Sequence, residues 1–217
     1  MIEAKNIHFS YGNLKVLKGL DLQIDKGEFV SIVGVSGSGK TTLLQLLGTL
    51  ENVDSGEINI NGKSVQQLSD KQLSVFRNQA IGFVFQFHNL LAEFTALENV
   101  CLPALIAGES KKETEKKAKE ILKMLSMDNR INHKPNELSG GEQQRVAVAR
   151  ALINSPAIIL ADEPSGNLDS KNAEELHQLL LKLNKEKGQT IVVVTHNAEF
   201  ANMANRKVEI IDGKLNS

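Results

Sequence analysis

Gly34-Val35-Ser36-Gly37-Ser38-Gly39-Lys40-Thr41 is the stretch that decides the fold. Phe29-Val30-Ser31-Ile32-Val33 runs into it, an apolar run that stops abruptly at glycine, as a strand buried on both faces does. A leucine-rich run, Leu43 to Leu50, leaves it with the pattern of a helix. The loop between them fits the spacing G-x-x-x-x-G-K-[ST]. Its glycines let the backbone curl into a ring of inward N–H groups, and the following helix adds the partial positive charge of its N-terminus. Such a ring holds phosphate oxygens. Lys40 is then placed to reach the β- and γ-phosphates of a nucleotide, and the Thr41 hydroxyl to ligate Mg²⁺.

A nucleotide site needs an acidic anchor as well. Asp162-Glu163 follows the apolar run Ala157 to Ala161, where side chains emerge at the carboxyl edge of a parallel sheet. Asp162 is expected to hold Mg²⁺, and Glu163 to polarise a water for in-line attack on the γ-phosphate. A third segment, Leu138-Ser139-Gly140-Gly141-Glu142, is more discriminating. Ser139 and Glu142 make a capping box, so a helix starts here and runs through Arg150. Two glycines in its first turn each cost about 1 kcal/mol against alanine. A helix start that forgoes side chains in this way leaves N–H groups bare for an anion. The chain therefore carries two phosphate-grade helix N-termini, which serve two sites or combine in one.

Outward from these segments the chain alternates between strands and helices. Leu20, Leu22 and Ile24 alternate, as do Ile58 and Ile60, and Asn61-Gly62 is a hairpin turn signal. Lys111 to Ser126 reads as an amphipathic helix with Ala118, Ile121, Leu122 and Leu125 on one face; its charge run is the solvated face. Glu174 to Leu183 is a leucine-rich helix, Thr190 to Thr195 a buried strand, and Val208 to Leu215 a hairpin turned by Asp212-Gly213. Strand–helix–strand alternation predicts a parallel sheet. The 217 residues carry a formal net charge of −1, which argues against electrostatic capture of nucleic acid or an anionic membrane. A single cysteine, Cys101, excludes an internal disulfide and is expected to be a small buried side chain in a reducing compartment. No segment reaches the roughly 18 to 20 apolar residues that span a bilayer. Glu3 and Lys5 interrupt the start of the chain, so no secretory signal is expected, and the location expected is cytoplasmic.

Taken together, the phosphate loop, LSGGEQQRVAVARAL (138–152) and IILADEPSGNLD (158–169) resemble the ATPase subunit of ATP-binding cassette (ABC) transporters, and the resemblance covers essentially the whole chain. It implies an α/β fold: a P-loop NTPase (RecA-like) core with an N-terminal antiparallel β subdomain and an inserted helical subdomain. One domain is expected over 1–217, with about 1–86 and 157–217 forming the β subdomain and core and about 87–156 the helical lobe. It further implies a head-to-tail pair of such chains with two ATP and Mg²⁺ between them. Ser139, Gly140 and Gly141 would then serve the ATP on the partner subunit, so that the two helix N-termini combine in one site.

By the same resemblance Tyr11 stacks on adenine with Val16 nearby, and Gly34, Val35, Ser36, Gly37, Ser38, Gly39, Lys40, Thr41 and Thr42 bind the nucleotide. Gln86 contacts Mg²⁺ or the attacking water, Ser165 to Asp169 lie along the seam between subunits, and His196 touches the γ-phosphate. Energy must reach separate integral membrane subunits, touched by the segment after Gln86, so the chain is expected to sit peripherally on the cytoplasmic face of the inner membrane. Phe87 to Val100 resembles most the lipoprotein-releasing branch of the family, although Ala92 replaces a usual proline. Peptide- or drug-exporting and division-linked branches remain alternatives there. A soluble cassette acting on ribosomes or DNA is disfavoured by the neutral charge and the single cassette. A GTPase or small-molecule kinase is disfavoured by the signature segment and by the lack of an Asn-Lys-x-Asp motif.

Overall fold

The computed structural model describes residues 1–216. The described residues form two sheets. The first is antiparallel, with β2 (Leu14–Ile24), β1 (Ile2–Tyr11), β4 (Ser55–Ile60) and β5 (Lys63–Ser64) side by side in that order. In the second, the spatial order is β10 (Lys214–Asn216), β9 (Arg206–Ile211), β3 (Phe29–Val33), β8 (Thr190–Val194), β7 (Ile158–Asp162) and β6 (Ile81–Phe85). All its pairings are parallel except that of β9 with β10. Among the described residues seven α-helices fill the connections: α1 (Lys40–Leu47), α2 (Asp70–Ala80), α3 (Ala96–Ile106), α4 (Lys111–Met124), α5 (Gly140–Leu152), α6 (Ser170–Lys187) and α7 (Ala198–Met203).

The period of two along the central strands sorts their side chains into two cores. Val30, Ile32, Ile158, Leu160, Val192 and Val194 face the antiparallel sheet and α1, where Leu43, Leu44, Leu46 and Leu47 meet Ile2, Ile7, Ile24 and Ile60. Phe29, Ile159, Ala161, Ile191 and Val193 face the other way, onto Val100, Leu122, Val148 and Leu180 of the helical layer. Strands β3, β7 and β8 are therefore apolar on both faces, and the phosphate loop leaves from the middle of the sheet.

The hairpins form where the turn residues predict. Asn61 and Gly62 both take positive φ (52° and 74°), as do Asp212 and Gly213 (48° and 77°), the geometry of a type I′ turn. Sequence alternation fails in β1 for a physical reason. A bulge at Asn6, at φ 51°, inserts an extra residue, so Ile2 and Ala4 before it and Ile7 and Phe9 after it all turn inward. Cys101 is buried as expected, and that burial pushes its thiol up to about 11.

Candidate nucleotide site

Two contacts leave no room for any residue but glycine at the ends of the loop. A Cβ on Gly34 (φ 148°) would come within 2.4 Å of the Ile210 carbonyl oxygen, and one on Gly39 (φ 106°) within 2.8 Å of Leu17 Cδ2. Gly39 is the N-cap of α1, and no side chain caps that helix. Its first-turn amides thus face the loop, where phosphate oxygens can accept from them. Lys40 is buried and donates to the carbonyls of Gly34 and Val35, both at 2.9 Å. Desolvation lowers its pKa, while Glu163 and Asp162 hold the charge in place. Ser38 Oγ lies buried beneath the loop without a partner among the described residues. A buried, unpaired hydroxyl beside an uncapped helix N-terminus fits a nucleotide's phosphates.

The carboxylates arrive at the ends of β7. Asp162 Oδ1 accepts from the Thr41 hydroxyl at 3.2 Å. Burial raises the Asp162 pKa, against the pull of Thr41, Lys40 and His196. Glu163 takes a left-handed conformation, φ 44°, that few non-glycine residues adopt, at a strain of about 1–3 kcal/mol. Its N–H is tied to the Val194 carbonyl at 2.9 Å, which fixes the kink against β8. The carboxylate then reaches the next loop. Oε2 accepts from the His196 amide at 3.2 Å, and His196 Nε2 stands 3.3 Å from Oε1 without a directed hydrogen bond. Burial raises the Glu163 pKa and His196 opposes it.

One cleft of about 320 Å³ brings Tyr11, Val16, Ser36, Gly37, Gly39, Lys40, Thr41, Thr42, Glu163 and His196 together. The residues come from four separate stretches: β8 lies between β3 and β7 in the parallel sheet and brings three of them together, while Tyr11 and Val16 come from β1 and β2 of the antiparallel sheet. Tyr11 is half-exposed, its hydroxyl on Gln45 Oε1 at 3.3 Å and its ring edge-on to Phe9, so an aromatic face stays free. Val35, by contrast, is 74% exposed and does not line the cleft.

Two expected groups stand apart from this cleft. Gln86, just past β6, donates through Nε2 to Asn167 Oδ1 (3.1 Å), and Asn167 Nδ2 donates back to the Gln86 carbonyl (3.2 Å). The Asn167 partnership had no signal in the sequence beyond its place in SGNLD. Ser139, Gly140 and Gly141 lie at the start of α5. There the capping box forms in full: Glu142 N–H donates to Ser139 Oγ at 3.3 Å and the Glu142 carboxylate accepts from Ser139 N–H at 2.8 Å. The expectation of bare amides therefore narrows to Gly140 and Gly141, because the capping serine itself takes the third. Arg130 Nε, at 2.9 Å from Glu142 Oε1, braces the box from the preceding turn, a role only the fold reveals. Gly141 must lack a side chain, since a Cβ would fall 2.3 Å from Asn172 Oδ1 on α6.

The fold and cleft are those of an ATP-hydrolysing cassette, and the chain belongs to the ABC transporter family, which matches it over residues 17–166. It is 60% identical over 99% of its length to the lipoprotein-releasing system ATP-binding protein LolD of Bacteroides fragilis (strain YCH46), covering 100% of that protein. With the protein of the same name from Porphyromonas gingivalis (strain ATCC BAA-308 / W83) identity is 57%, over 99% of this chain and 98% of that one. Among solved structures it resembles the dimeric structure of MJ0796, a bacterial ABC transporter cassette, with a TM-score of 0.91 and 48% identity. That match covers 100% of this chain and 97% of the other. A dimeric post-hydrolysis state of MJ0796 bound to ADP and Pi matches at a TM-score of 0.90 and 46% identity, over 100% and 97%.

Proposed function

We propose that this ATPase works as a head-to-tail pair on separate membrane subunits and drives the release of lipoproteins from the inner membrane, from its cytoplasmic face. The observation that carries the substrate assignment is end-to-end identity of 60% with a lipoprotein-releasing system protein. No helix among the described residues is long and apolar enough to cross a membrane.

The geometry of the cleft supports the following residue roles. Lys40, held against the loop by the Gly34 and Val35 carbonyls, would donate its remaining N–H as a hydrogen bond to a phosphate oxygen. Glu163 takes the proton of the attacking water, and its raised pKa makes it a stronger base than an ordinary carboxylate. His196, anchored on Glu163, donates to the γ-phosphate as charge gathers there. Thr41 and Asp162, already bonded to each other, would hold Mg²⁺ with Gln86 completing the set; the ion would neutralise charge on the β- and γ-oxygens. Tyr11 and Val16 receive the adenine. Ser139, Gly140 and Gly141 close over the nucleotide bound by the partner subunit.

We assign residues 87–156 as the lobe that meets the membrane subunits. A hollow of about 470 Å³ opens between α2, β6 and α3, lined by Arg77, Phe83, Phe85, Pro103, Ile106 and Arg150. Phe87 and Ile106 beside it are 71% and 75% exposed, apolar surface that a protein partner would cover.

Glu163→Gln tests both halves of the reading. ATP binding should persist, turnover should fall by about a hundredfold or more, and an ATP-bound dimer should accumulate in light scattering. Used as bait in membranes solubilised with ATP, the variant should retain a pair of membrane proteins that carry lipoprotein. The same pair without lipoprotein would move the substrate to peptide export or division, and ribosomes alone would overturn the transport role.

A further inference from the structure

We propose that His177 is a positioning residue for hydrolysis, its imidazole joining the loop after Glu163 to the loop that carries His196. The inference rests on the reading of Glu163 as the base. His177 sits on the buried face of α6 and is 3% exposed, among Leu176, Leu180 and Leu183; the other buried polar residue of the helix, Asn184, bonds to backbone carbonyls near its C-terminal end. A core helix has no packing need for a polar ring at such a place.

The ring has a partner on each side. Nε2 is 2.9 Å from Ser165 Oγ, two residues beyond Glu163. One face stacks on Phe200 of α7, with 3.7 Å between centroids and planes 7° apart. The Phe200 amide in turn donates to the N-cap Asn197 at 2.8 Å, and Asn197 directly follows His196. Burial lowers the His177 pKa and keeps the ring neutral, against the carboxylates of Glu174 and Glu199. Glu174 Oε2, 3.9 Å from Nδ1, favours the proton on that nitrogen. Nε2 is then bare and accepts from the Ser165 hydroxyl.

That bond completes a closed turn. The Gly166 amide donates back to the Glu163 carbonyl at 3.0 Å, while Ser165 is fixed to α6 through His177. The strained backbone at Glu163 is thereby held from its C-terminal side, and its carboxylate is held by His196 from the other. A leucine at 177 would fill the core equally well and release the hydroxyl.

The test deletes the bond from each end. Ser165→Ala removes the donor on the half-buried loop; His177→Phe keeps a ring against Phe200 and removes the acceptor. Each should lower kcat on the order of fivefold, the size of one neutral hydrogen bond, with KM for ATP unchanged. The double variant should be no slower than either single one, and His177→Gln should recover part of the rate. A Ser165→Ala rate within about twofold of the parent, or losses that multiply in the double variant, would overturn the proposal. If His177→Phe does not fold, Ser165→Ala decides alone. Glu163→Gln run in parallel separates the two readings. Parent-like turnover by it removes the base, whereas a dead Glu163→Gln beside an unimpaired Ser165→Ala removes only the positioning role.

Discussion

The N-termini of α1 and α5 invite comparison, because each has glycine at its cap or in its first turn and each is read as a phosphate contact, yet the chain finishes them in opposite ways. At α1 there is no side-chain cap, no acidic residue in the first turn, and a lysine instead. At α5 Ser139 and Glu142 cap each other, Arg130 braces the pair, and the hydrogen bond from Ser139 N–H holds the Glu142 carboxyl below its usual range. The difference is one of independence. Helix α1 is held by Leu43, Leu44, Leu46 and Leu47 in the core, so its amides are free for a ligand. Helix α5 closes on itself, a finished rim that offers only Gly140, Gly141 and a serine hydroxyl to another molecule. On the proposed reading, local capping goes with the surface that meets the partner, and its omission with the chain's own site.

The largest effect that could break this comparison is at α1. Lys40→Ala should lower turnover by about a hundredfold or more, through loss of the charge that positions phosphate. A rate near that of the parent would sink the assignment of this loop. The next effect is at α5. A Cβ on Gly140 would meet only Leu168 Cδ2, at an ordinary 3.5 Å. Gly140→Ala should therefore stabilise the monomer by up to about 1 kcal/mol, seen as a higher Tm. It should still reduce turnover on the order of tenfold while ATP affinity of the lone chain stays the same. Unchanged turnover would mean that α5 contacts no nucleotide. Gly141→Ala sharpens the point by losing stability, since its Cβ overlaps Asn172.

The smallest effect concerns pH. The folded pKa of Asp162 is raised by burial, so the carboxyl favours the fold when protonated, and that contribution disappears as pH rises through the folded value. Asp162→Asn should accordingly melt higher than the parent at neutral pH, with the gap closing as the pH falls below the carboxylate range. A gap that stayed constant with pH would show that the charge of Asp162 is fully compensated in the folded chain.

How much of this was legible in the sequence follows from how local each cause is. The phosphate loop, the I′ turns at Asn61-Gly62 and Asp212-Gly213, the two-faced strands and the α5 capping box all depend on residues within a few positions of one another. Helices α2 and α3 escaped the periodic reading. The first buries no residue fully, and the second has apolar residues on every side and a proline, Pro103, within it. Their capping boxes, Ser69 with Gln72 and Thr95 with Glu98, were the usable signals. Nothing local announces that Gln86 will pair with Asn167, or that Arg130 will brace Glu142. Those contacts exist only once β6, β7 and the helical layer are assembled.

The hairpin of β9 and β10 has a consequence for the order of events during synthesis. Its Ile210 carbonyl presses on Gly34, and its Gly213 carbonyl accepts from the Lys18 amide at 2.9 Å, with Val16 packed too close for any side chain at 213. The phosphate loop is thus translated early while one of its walls is translated late. A ribosome paused ahead of Arg206 displays a nucleotide loop with one side missing. On this reading, competence to hold ATP waits until β9 has been made and its long-range pairing with β3 becomes available.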